Sequence, residues 1–189
     1  MCVTSFDPLK IYLYKEGLVR LATERYTINP RYLNNSFMHL TNFSVNSKND
    51  GKFHAKEGDY SSSKWTLEML KSYYLSEGID PMIVFSKIKD IIVKSLVALS
   101  PHVNYQLKRY YKYCPINSNP CFELYGFDLV LDQHLNPWLL EINTAPSLSC
   151  PTDLDKRIKY SLVNDLYTLI GLQPPDIKDL YSQADFKGG

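Results

Sequence analysis

Apolar residues in this chain fall either into short alternating runs or into longer stretches with helical spacing, separated by polar punctuation. Residues 122–131 and 138–143 are apolar runs on either side of Asp132-Gln133-His134-Leu135-Asn136-Pro137, a pattern that predicts two strands and a turn. Residues 1–14 predict a strand from the very start. The turn signal Lys15-Glu16-Gly17 then leads to a second strand over 18–22, giving an opening hairpin. A domain that opens inside a sheet either lacks something upstream or has a strand that begins at the terminus. Residues 27–36 form a polar connection, and 37–44 pass from apolar to polar. Residues 45–63, rich in Ser, Asn, Lys, Gly and Asp, read as a mobile loop.

Helical spacing takes over at residue 64. Residues 64–75 predict a helix with Trp65, Met69 and Tyr73 on one stripe and Gly78 as its stop. Asp80 then caps a longer helix with Pro81 in its first turn. Phe85, Ile88, Ile91, Ile92, Val93 and Leu96 supply its apolar face, and Pro101 is expected to end or kink it. Residues 105–119 are a tyrosine-rich connection of ambiguous type. The last helix spans 153–170, with Leu154, Ile158, Leu162, Leu166 and Leu169 on one face, Gly171 closing it and Pro174-Pro175 barring continuation. Residues 173–189 read as a loosely ordered tail. Strands and helices in this mixture make an α+β fold, without internal repeats.

The chemistry sits in the strand pair. Asp128, Glu141 and Asn143 occupy positions where apolar residues are expected, and an unpaired buried carboxylate costs several kcal/mol, so a positive partner is called for. Glu141 and Asn143 leave the same face of a strand, and Asp128 on the antiparallel neighbour can reach the same point. Two carboxylates and an amide oxygen suit Mg²⁺, whereas zinc would want His or Cys. The plainer alternative is a turn-capping Asp128 and a Glu141 paired with a Lys or Arg at the sheet edge.

Composition narrows the class without deciding it. At 189 residues with 44% hydrophobic and 22% charged side chains the chain can build one real core. A net charge of +1 gives no bias toward nucleic acid or membrane surfaces. Cys2, Cys114, Cys121 and Cys150 show no CxxC spacing, and there is neither a signal peptide nor an apolar run of membrane length, so free thiols in a reducing compartment are expected. His39, His54, His102 and His134 do not cluster at ligand spacing, and Ser147 and Ser149 lack a His-Asp arrangement.

Five stretches carry a resemblance: Val3-Thr4-Ser5-Phe6-Asp7-Pro8; Gly17-Leu18-Val19-Arg20-Leu21-Ala22-Thr23; Met38-His39-Leu40-Thr41-Asn42-Phe43-Ser44-Val45-Asn46; Cys121-Phe122-Glu123-Leu124-Tyr125-Gly126-Phe127-Asp128; and Pro137-Trp138-Leu139-Leu140-Glu141-Ile142-Asn143-Thr144-Ala145-Pro146-Ser147-Leu148. In this order the chain resembles the tubulin tyrosine ligase-like family, specifically its glutamylating branch, the tubulin polyglutamylases. The resemblance implies an ATP-grasp fold, in which two α+β halves clamp ATP. Residues 1–172 would be the C-terminal half, an antiparallel sheet flanked by helices, with the N-terminal half and its nucleotide-binding lysines missing.

The implied reaction is ATP-dependent addition of glutamate to glutamate side chains of tubulin tails through an acyl phosphate. Its cofactors would be ATP and Mg²⁺, with Asp128, Glu141 and Asn143 as metal ligands. Arg20 matches the arginine that holds the amino-acid substrate, although alone it would pass for a surface strand arginine. Thr41 and Asn42 match the nucleotide-side pair, otherwise ordinary turn residues, and Phe43 stands where most relatives carry tyrosine. Ser44 and Lys64 match positions near the amino acid, Lys64 with a catalytic role beside Arg20, and Thr144 falls at a variable substrate position. By itself Lys64 would read as a solvated first-turn lysine. Lys108, Arg109 and Lys112 among tyrosines could face acidic tails or merely solvent.

The implied partners are tubulin or microtubules, through their acidic C-terminal tails, and free L-glutamate, with no nucleic acid and no membrane. The implied places are the cytoplasm and the cytoskeleton, cilium or basal body included. Polyglutamylation is favoured over tyrosination by residues 3–8 and 121–148, with a glycylating relative a weaker option. From another class comes a truncated, non-catalytic module that docks on microtubules. A ligase of small metabolites is the third option, against which residues 38–46 argue.

Overall fold

The computed structural model describes residues 1–49, 62–111 and 121–172. The expected tail over 173–189 with Pro174-Pro175, most of the loop over 45–63, and His54, Lys112 and Cys114 lie outside the described residues.

The opening segment folds into two strands rather than one. β1 (Cys2–Phe6) turns at Asp7-Pro8, a cis peptide, into β2 (Leu9–Tyr12). The hairpin turn is therefore Asp7-Pro8 and not Lys15-Glu16-Gly17. The third strand, β3 (Leu18–Arg20), pairs elsewhere, with β4 (Lys64–Thr66). Lys64 is consequently a strand residue. Helix α3 (Leu67–Ser76) begins only after Thr66, whose hydroxyl accepts the amide of Met69 at 2.9 Å, and the turn beyond it includes Gly78 at φ +71°.

Between these strands the expected apolar-to-polar segment becomes two single turns, α1 (Ser36–His39) and α2 (Phe43–Asn46), flanking extended backbone at Leu40. The run expected over 122–131 also splits. β5 (Glu123–Leu124) joins β1, whereas β6 (Gly126–Leu131) pairs with β7 (Pro137–Asn143). Tyr125 makes the break, its backbone exchanging hydrogen bonds of 2.8 and 2.9 Å with Met1. Among the described residues the sheets are thus β2-β1-β5, β3-β4 and β6-β7, all antiparallel.

Helix α4 (Pro81–Tyr111) is the spine. Asp80 accepts the Met82 amide at 2.8 Å, as its capping position predicts. Pro101 lies inside the helix and does not end it, so the helix runs on through Lys108 and Arg109. A mid-helix proline removes one hydrogen bond and costs about 3 kcal/mol. Here Asn104, beyond the proline, is tied to the Phe6 carbonyl at 3.1 Å, and the buried residues before it anchor the other side. Those residues also correct the expected face: Val84, Ile92 and Leu96 are buried and Ile88 packs on the core, while Val93 is 45% exposed. Ile92 and Leu96 close on Val3 and Tyr125, so α4 seals the β1–β5 sheet.

Helix α5 (Asp153–Leu169) matches its expected span, burying Leu154, Ile158 and Leu166, although Leu169 is exposed; Gly171 follows at φ +72°. No described helix is long and apolar enough to cross a membrane.

Leu96→Ala should therefore cost about 2–5 kcal/mol in urea unfolding, while Val93→Ala should stay within roughly 0.5 kcal/mol. Equal costs would contradict the observed face.

Candidate functional site

The β6–β7 hairpin is built around one aspartate. Asp132 accepts the amides of His134 at 2.8 Å and Asn136 at 2.9 Å, and its other oxygen takes the Trp138 indole N–H at 3.1 Å. Hydrogen bonds from Asn136, then Trp138, hold its carboxyl down at about 2. That support is present above the ordinary carboxylate pKa and is lost only as pH falls toward 2. Leu135 occupies the left-handed region at φ 59° to close the turn, and Lys87 of α4 donates to Asn136 at 2.8 Å, fixing the hairpin to the spine.

Strand pairing places the carboxylates. Asp128 lies directly opposite Glu141, and the register then jumps to Leu129 opposite Leu139, leaving Leu140 as the extra residue of a bulge. Like charges directly opposed across strands are unfavourable. Asn143, opposite Gly126, bridges them: its amide nitrogen lies 3.0 Å from Asp128 Oδ2 and 3.2 Å from Glu141 Oε1. A Cβ on Gly126 would come within 3.0 Å of Pro146, so glycine lets the chain after β7 fold back against the site.

Burial pushes the Asp128 carboxyl up, and its contact with Glu141 adds to this; the Arg20 charge and the Asn143 amide pull the other way without cancelling it. Two carboxylates facing each other beside one amide fit a hard divalent cation, which would relieve the repulsion and would take Asn143 by its oxygen in place of the nitrogen that meets the carboxylates here. Among the described residues no group of three or more His, Cys, Asp or Glu could hold a metal, so a cation here would use the amide or water besides the two carboxylates.

Most of the other expected site residues occupy a second strand pair and the segment beside it. Arg20 and Lys64 are register partners across β3 and β4; Arg20 is exposed, whereas Lys64 is 7% exposed. Lys64 Nζ sits 2.5 Å from Asp155 Oδ2 and 5.5 Å from the Phe43 ring centre. Lys64 is thus neither helical nor solvated. Thr41, Asn42 and Ser44 are exposed on the segment that carries Phe43, and the Asn42 side chain makes no capping bond to α2. Thr144 is exposed immediately after Asn143. Lys108 and Arg109 are exposed on α4. His39 bonds the Tyr32 carbonyl and stacks edge-on against Tyr26, an ordinary packing role.

Comparison with known proteins sets this geometry in a family. The model of the tubulin-tyrosine ligase family matches residues 1–179. The chain belongs to the tubulin-tyrosine ligase family. It is similar to tubulin monoglutamylase TTLL4 of Mus musculus, with 42% identity over 96% of this chain and 15% of that protein. Tubulin polyglutamylase TTLL5 of Homo sapiens is 41% identical over 89% of this chain and 13% of its own length. Tubulin polyglutamylase TTLL6 of Mus musculus is 38% identical over 98% and 22%. The chain thus spans less than a quarter of the length of these relatives.

Two residues that hold these segments together escape a reading of the sequence alone. Asn46, 1% exposed, donates to the carbonyls of Leu40 at 2.6 Å and Asn42 at 3.2 Å, and accepts from the Thr23 amide at 3.0 Å and hydroxyl at 2.7 Å. All four hydrogen-bonding capacities of its amide are met, pinning the Thr41-Asn42 turn to the chain just beyond β3. Asp155 likewise caps α5 while reaching Lys64. The Thr152-x-x-Asp155 spacing signals the cap; nothing local signals the lysine.

Metal-free Asp128→Asn should melt higher than the native chain, because it removes one of two facing charges; a lower midpoint would contradict the described repulsion. Asn46→Ala should cost about 3 kcal/mol by leaving buried groups unpaired, read by chemical denaturation, with a loss below 1 kcal/mol arguing against the knot.

Proposed function

We propose that this chain carries the metal side and the amino-acid side of a tubulin glutamate ligase site of ATP-grasp type, working at the cytoskeleton, cilium or basal body included. The observation that carries the reading is the convergence of Asp128, Glu141 and Asn143 on one point, in a family member whose relatives are named as tubulin glutamylases. The three groups that must meet (nucleotide triphosphate, acceptor carboxylate and free L-glutamate) are all anions, so the site's first task is charge neutralisation. Asp128, Glu141 and Asn143 would hold Mg²⁺, which would supply positive charge to neutralise the phosphoryl oxygens.

The acceptor is a glutamate side chain of a tubulin tail. Its carboxylate oxygen bonds the γ-phosphorus as the bond to ADP breaks, giving an acyl phosphate. The amine of L-glutamate then bonds the acyl carbon as phosphate leaves and the nitrogen loses a proton. Thr41 and Asn42, exposed on the turn that Asn46 fixes, would donate to the nucleotide. Arg20 would grip a carboxylate of the incoming amino acid through its planar fork. Ser44, Lys64 and Thr144 would line the same substrate.

Incubation with tubulin, ATP, Mg²⁺ and labelled glutamate tests this directly. Glu141→Gln should lower incorporation roughly a hundredfold or more. Equal incorporation by both proteins would remove Glu141 from the role given to it. Tubulin binding without incorporation would favour the docking module instead.

A further inference from the structure

Burying a lysine demands a reason. Lys64 is 7% exposed, yet among the described residues its ammonium donates one hydrogen bond, to Asp155, although it has three N–H groups to satisfy. The face of the Phe43 ring lies 5.5 Å away, on the segment that carries Ser44. Replacing a buried ion pair by apolar side chains is often neutral or stabilising, so stability alone gives little reason for a pair here.

Asp155 is held more firmly than its partner. Only 1% exposed, it accepts on Oδ2 from the Thr152 amide at 3.2 Å, the Thr152 hydroxyl at 2.7 Å and Lys64 at 2.5 Å. Its Oδ1 faces Lys159 at 3.9 Å, and Lys159 itself donates to the Ser149 carbonyl at 2.5 Å. The first turn of α5 thereby clamps the carboxylate before Lys64 is considered. Burial alone would raise its pKa, but the hydrogen bonds from Lys64 and Thr152 outweigh that and keep it below the usual carboxylate range. Asp155 thus stays charged and is held by the α5 cap, as an anchor must be.

We propose that Asp155 is a positioning residue for Lys64: the carboxylate that caps α5 also fixes the ammonium of β4, leaving its remaining N–H groups to meet a carboxylate of the incoming amino acid. This rests on the reading of Lys64 as a substrate contact. It adds that the contact is set from 91 residues away in the sequence, by the start of a helix that itself makes none of the expected contacts with the reactants.

The test titrates L-glutamate into the full chain with Mg²⁺ and a non-hydrolysable ATP analogue. Asp155→Asn keeps an oxygen for the cap but removes the charge, and should weaken glutamate binding roughly tenfold or more. Ile158→Val thins the α5 core without touching the pair. It should lower the melting temperature while leaving glutamate affinity within about twofold. Unchanged affinity in Asp155→Asn, or the same loss in both variants, would overturn the proposal.

If the native chain takes up no glutamate, the substrate reading fails for this chain, and Asp155 is judged without substrate. The rate of amine acylation at Lys64, read by peptide mass spectrometry, should rise about fivefold or more in Asp155→Asn but not in Ile158→Val. Equal rates in the native chain and Asp155→Asn would overturn the positioning role.

Discussion

Two carboxylates face each other across a pair of short strands, and the rest of the site is arranged around that repulsion. Asp128 and Glu141 are register partners, brought together by a bulge and bridged by the amide of Asn143. An amide donor between two anions is a modest remedy compared with a divalent cation, since Coulomb attraction scales with the charge. The strand pair must nevertheless hold this arrangement before any cation arrives. Its rigidity comes from outside the cluster, from the four hydrogen bonds on Asp132 at the turn and the Lys87 tie to α4.

The same design recurs on the other strand pair. Arg20 and Lys64 sit side by side on β3 and β4, one exposed and one buried, and each neighbouring segment is fastened by a buried polar side chain. Asn46 fastens the Thr41-Asn42 turn, and Asp155 fastens Lys64. Buried polar groups held by hydrogen bonds specify one geometry, and the proposed site, which would bring several anions together, needs its cations fixed beforehand. The apolar core of Val3, Ile92, Leu96 and Tyr125 carries the sheet and the spine. The polar knots set the angles.

How much of this could be read in the sequence follows from how local each signal is. The β6–β7 hairpin, the α4 start and the whole of α5 were legible, because alternation, an Asp-Pro cap and helical spacing are written in consecutive residues. The meeting of Asp128, Glu141 and Asn143 was legible for the same reason: carboxylates in apolar strands stand out, and antiparallel pairing joined them. The β3–β4 pairing was not, since its partners are separated by more than forty residues in the sequence. Lys64 was read as helical because Trp65, Met69 and Tyr73 keep helical spacing, and the strand ends only at Thr66. Pro101 was given too much weight: a local rule about one lost hydrogen bond yields to a long helix anchored on both sides of it.

The account stands or falls on whether the three side chains share one cation. Manganese(II), a paramagnetic substitute for magnesium, broadens backbone and side-chain NMR signals near the site it occupies. Titrated at substoichiometric levels into the full chain, it should broaden Asp128, Glu141 and Asn143 first, and magnesium in excess should restore those signals. Broadening centred on other acidic positions, with these three signals left sharp, would contradict it.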